Sequence, residues 1–105
     1  MTIKELERLQ KNYKSNLGRD QTNSIWFDRQ TLEKLLEKTD PKTGGLKLYF
    51  AEYDAEYVEA YGLDNEIKGH IGKMTIVLAA SNNNEDPEND DDVDNGGNIC
   101  PPNCN

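Results

Sequence analysis

Ile3, Leu6, Leu9, Tyr13 and Leu17 recur at spacings of three and four, the period of one helix face. Thr2 is placed to cap that helix with Glu5 three residues on, and Gly18 follows as a stop beyond a helix ending near Ser15. A polar loop over 19–23 leads to Ser24-Ile25-Trp26-Phe27, too short for more than a strand or a helix lead-in. Asp28 then reads as an N-cap. Leu32, Leu35 and Leu36 stripe a second helix, with Glu33 and Glu37 near Lys34 and Lys38, and Asp40-Pro41 ends it.

Beyond Gly44-Gly45 the period changes to two. Leu46, Leu48 and Phe50 alternate with Lys47, Tyr49, Ala51 and Tyr53, which predicts a half-buried strand over 46–53. Phe27 and Phe50 are expected in the core. Residues 54–72 mix tyrosines with Gly62, Gly69 and Gly72 and predict an elaborated loop with one helical turn. The β-branched, apolar run over 73–80 predicts a central strand pairing antiparallel with 46–53, and the short strand at Trp26 is placed beside them by a crossover over the second helix. The expected class is α+β: a small three-stranded, mainly antiparallel sheet with two amphipathic helices on one face.

With 105 residues the chain builds one core. All 12 Lys and Arg precede Ser81, where they meet 13 of the 20 acidic residues, so the body is near neutral. The remaining acids fill the segment from Glu85 to Asp94. Too few apolar residues follow Ser81 to offset ordering entropy, so residues 1–80 are expected as a single domain and 81–105 as a disordered acidic tail. No basic stripe suggests nucleic acid, because Lys4, Arg8, Lys11 and Lys14 are offset by Glu5 and Glu7. No apolar run approaches membrane-spanning length and no apolar leader follows Met1, so a cytoplasmic protein without membrane contact is expected.

Three constellations bear on chemistry. Cys100 and Cys104, near the end of the chain, are expected in a reducing compartment as free thiols, metal ligands or a redox pair before a structural disulfide. Zinc is the candidate metal, with His70, the only histidine, and a tail carboxylate as further ligands. Asp90, Asp92 and Asp94 have the opening spacing of a calcium loop, but Asn95 stands where its glycine belongs and Pro101 where its bidentate glutamate belongs. The third set is aromatic: Tyr49, Tyr53, Tyr57 and Tyr61 form either core or a face for a protein partner. No nucleophile has an evident base and no phosphate-cradling loop is present, so a non-enzymatic binding or accessory protein is expected. The alternative is an acidic inhibitor or immunity-like protein that meets a basic protein through its tyrosines.

The order Trp26-Phe27-Asp28, Leu48-Tyr49-Phe50, Met74-Thr75-Ile76-Val77-Leu78 and Gly97-Asn98-Ile99-Cys100-Pro101-Pro102-Asn103-Cys104 resembles small uncharacterised bacterial proteins with a compact body and a terminal Gly-x-x-Cys-Pro-Pro-x-Cys. The resemblance spans residues 24–104 and implies no activity.

Overall fold

The computed structural model describes residues 1–18, 20–63, 69–101 and 104. Helix α1 (Ile3–Lys14) begins with the capping box that Thr2 and Glu5 predict: the Glu5 N–H donates to Thr2 Oγ1 at 3.0 Å and the Thr2 N–H to Glu5 Oε1 at 3.2 Å. Asp28 caps α2 (Arg29–Leu36) by accepting from the Thr31 N–H at 2.7 Å. That backbone hydrogen bond holds the Asp28 carboxyl below its ordinary range. Asp54 caps α3 (Ala55–Tyr61) by accepting from the Tyr57 N–H at 2.8 Å; the helix is longer than the single turn expected and stops where Gly62 turns left-handed at φ 62°.

Strands β2 (Gly44–Glu52) and β3 (Met74–Asn82) pair antiparallel along their whole length, from Gly44 opposite Asn82 to Glu52 opposite Met74. This is the expected pairing, and the chain is α+β, with antiparallel sheets of three and two strands. The third strand of the larger sheet is β4 (Val93–Asp94), which pairs with β3 at Ala79 and Leu78. The strand at Trp26, β1 (Ser24–Trp26), makes no crossover into that sheet; it pairs with β5 (Asn98–Cys100).

Both additions come from the segment read as a disordered acidic tail. A 3₁₀ turn over Asp90–Asp92 precedes β4, and β5 carries Ile99, which is only 1% exposed. Average composition misses this because one apolar side chain and a few polar contacts fix the path. Asp86 Oδ1 accepts from Lys47 Nζ at 2.8 Å and from the Tyr49 hydroxyl, and the Lys38 ammonium donates to the Asp91 carbonyl. Positions 102, 103 and 105 lie outside the described residues.

Ile99 joins Tyr53 and Val58 in a buried cluster, with Ile25, Tyr57 and Leu63 packed against it. Tyr53 therefore takes the core position expected of Phe50, which is 80% exposed, as Leu48 is at 53%. The strand period was right and the buried face was not. Asp86 and Asn95 bind the face bearing Tyr49 and Tyr53, while α2, which packs against β2, β3 and β4, leaves Leu48 and Phe50 open. Helix α1 buries none of its residues, so only one of the two helices expected over the sheet has that role.

Candidate functional site

The end of β2, α3 and the β4 region enclose a cleft of about 500 Å³. Strand alternation puts Ala51 and Tyr53 on the sheet face that floors it, alongside Thr75 and Val77 of β3. Tyr57 and Tyr61, one helical turn apart on α3, supply an aromatic wall: their rings stack with centroids 4.4 Å apart and planes at 29°. Tyr53 continues the series, its ring centroid 5.8 Å from that of Tyr57. Tyr61 stays 67% exposed and Tyr57 half-buried.

Glu52, Asp54, Asp90 and Asp94 also line the cleft, and among the described residues no Lys or Arg does. Among the described residues none of the four joins an ion pair. Asp54 is held by its cap on Tyr57, and Asp94 Oδ1 accepts from the Gly96 N–H at 2.6 Å. Two of the four carboxylates are thus oriented by backbone donors, and among the described residues none is neutralised by a cation. A concavity with this lining has the chemistry to receive a cation on a partly apolar stem, such as Lys or Arg.

The cleft wall is fixed by a polar triad. The Asn95 amide donates to the Tyr53 hydroxyl at 3.0 Å, Thr75 Oγ1 donates to Asn95 Oδ1 at 3.1 Å, and Thr75 Oγ1 lies 3.3 Å from the Tyr53 oxygen. Buried polar atoms are thereby satisfied, and β2, β3 and the segment after β4 are tied at one point.

Of the four tyrosines, the structure brings together Tyr53, Tyr57 and Tyr61. Tyr49 is elsewhere, engaged by Asp86, and the Lys47 ammonium is 5.6 Å from the centre of its ring. The hydrogen bond from Lys47, followed by that from Tyr49, holds the Asp86 carboxyl below its ordinary range; the bond to Asp86 raises both Lys47 and Tyr49. Asp90 and Asp94 were legible as an acidic run. Their meeting with Glu52 and Asp54 was not, since it depends on the β3–β4 pairing. The one local signal was the Asp54-x-x-Tyr57 cap pattern.

Cys100 and Cys104 form a disulfide, with Cα atoms 4.6 Å apart. Neither sulfur is free to bind zinc as a thiolate in this form. His70, read as a further ligand beside them, is 8% exposed and stands edge-on to Tyr53, ring centroids 5.6 Å apart. Among the described residues no three His, Cys, Asp or Glu side chains gather closely enough to hold a metal ion, the Asp90–Asp94 run included. No helix of the described residues is long and apolar enough to cross a membrane.

No protein-family model, curated protein or solved structure matches the chain.

Proposed function

We propose that the chain is a non-enzymatic binding protein whose cleft takes a basic segment of a protein partner. The observation that carries this reading is one concavity combining a stacked tyrosine wall and four carboxylates, with no cation among the described residues that line it. Tyrosine faces and carboxylates both favour guanidinium and ammonium groups, and the wall gives their methylene stems an apolar surface. The acidic chain, at a formal −8, steers a basic partner toward it and raises the association rate. An inhibitor or immunity-like role against a basic enzyme or nucleic-acid-binding protein fits this chemistry. Calorimetric titration with an Arg-rich peptide containing one aromatic residue tests it. Wild type binds, and Tyr61→Ala, at an exposed position, weakens binding; equal affinity for both proteins would end the reading.

A second reading rests on the disulfide, whose Cys100 adjoins buried Ile99 and pairs with Ser24 across β1 and β5. In a cytoplasmic setting two glutathione thiols reduce it to two thiols and leave as glutathione disulfide. The released thiols are the form that ligates zinc. This is also the segment on which the resemblance to the small bacterial proteins rests. A Cys100→Ser/Cys104→Ser double variant whose β5 amides exchange no faster and whose peptide affinity is unchanged would remove it.

A further inference from the structure

Strand β2 lies at the edge of its sheet: in the order β2-β3-β4 its far side has no neighbour among the described residues, over a strand of nine residues. Antiparallel alternation decides which backbone groups face that open side. At one end the Tyr53 N–H donates to the Lys73 carbonyl at 2.9 Å, and the Tyr53 carbonyl accepts from the Gly72 N–H at 2.8 Å. At the other end the Thr43 carbonyl accepts from the Asn83 N–H at 2.9 Å. Residues 43 and 53 thus turn their polar groups toward β3, as do the odd-numbered residues between them. The N–H and C=O groups of Leu46, Leu48, Phe50 and Glu52 face outward.

Two of those residues, Leu48 and Phe50, also carry the strand's exposed apolar side chains. Proteins commonly blunt such an edge with charge, proline or a bulge. Between Leu46 and Ala51 the one charge is Lys47, and its ammonium is drawn to Asp86 on the opposite face.

From this geometry we infer that β2 pairs with β2 of a second copy, antiparallel about a two-fold axis at Tyr49, joining two three-stranded sheets into one. That register sets Leu48 opposite Phe50 of the second copy and Leu46 opposite its Glu52, so every outward backbone group from Leu46 to Glu52 gains a partner. Lys47 falls opposite Ala51 and no charge opposes a like charge. An axis at Leu48 would put Glu52 opposite Gly44, whose N–H is already given to the Asp40 carbonyl at 2.8 Å. An axis at Phe50 would leave Leu46 opposite Asp54, beyond the strand.

Sedimentation velocity over a concentration series tests the pairing, using wild type, Phe50→Lys and a Leu6→Glu/Leu9→Glu variant of α1, which carries another exposed apolar face. Wild type and the α1 variant show a monomer–dimer equilibrium, and Phe50→Lys raises its midpoint about tenfold or more. Tyr49→Cys, oxidised with glutathione disulfide, gives a covalent dimer, because directly opposed residues of this type have Cα atoms about 4.5 Å apart. A wild type that stays monomeric throughout would overturn the proposal. So would dimerisation lost in the α1 variant and kept in Phe50→Lys, which assigns the contact to α1; absence of the Tyr49→Cys cross-link would overturn the register.

Discussion

The side-chain amide of Asn95 donates to the hydroxyl of Tyr53, 42 residues earlier in the chain, at 3.0 Å. With Thr75 this bond ties the acidic segment to the two long strands at the wall of the cleft. Asn95→Ala leaves the Tyr53 hydroxyl and Thr75 Oγ1 short of a partner and is expected to cost about 1–2 kcal/mol. Urea denaturation reads the loss, and an unmoved midpoint would show that the triad does not hold the segment.

Thr22 is wholly buried, and its Oγ1 has no hydrogen-bond partner among the described residues. An unsatisfied buried hydroxyl costs about 1–3 kcal/mol relative to an apolar group of the same shape. Thr22→Val should therefore raise the melting temperature. A drop on this nearly isosteric change would mean that the hydroxyl is satisfied after all.

Gly97 marks a close approach of chain segments. A Cβ there would meet Ile25 Cγ2 and Phe27 Cζ, each at 2.6 Å. Gly97→Ala must push β1 from β5 and is expected to destabilise by about 1–3 kcal/mol. Gly45→Ala, where an added Cβ meets nothing within 4 Å, serves as the control and should be nearly neutral or stabilising. Parallel thermal melts separate the two.

Docking of the acidic segment at Asp86 depends on pH at both limits. Its carboxyl is depressed by the bond from Lys47, so that contribution is present above the ordinary carboxyl range and is lost as pH falls through the depressed one. Lys47 is raised by the same bond, so its contribution is full below the ordinary ammonium range and is lost as pH rises past it. Amide shifts around Asp86 should be flat between about pH 5 and pH 9 and should move outside that window. In Asp86→Asn the acid limb disappears; persistence of that limb would place the titration in another group. Asp86 is exposed and Lys47 half-buried, so solvent screens the pair and its effect on global stability is small.

The caps at Thr2 and Asp28 and the β2–β3 pairing follow from local pattern, because each is decided within a few residues or by one clear alternation; the cap at Asp54 does not, since 54–72 has the pattern of a loop with one helical turn. The course of the acidic segment was not legible. Val93 and Ile99 are single apolar positions amid polar ones, and the contacts that fix them reach back to Lys47, Tyr49 and Tyr53. The same long-range dependence reversed the choice of buried face on β2. A strand's period gives two faces, and here the later segment covers the polar-looking one bearing Tyr49 and Tyr53. For the cleft, the tyrosines were legible from the sequence, but the carboxylates around them required the fold.

The most direct test of the cleft's role is to titrate an isotope-labelled chain with the Arg-rich peptide and follow its backbone amide resonances at two salt concentrations. The account predicts shifts concentrated at 51–61, 75–77 and 90–95, weakening as salt rises and much reduced in Tyr61→Ala. Shifts confined to 84–92, with the amides of Tyr57 and Tyr61 unmoved, would contradict it and reduce the interaction to attraction by the acidic run.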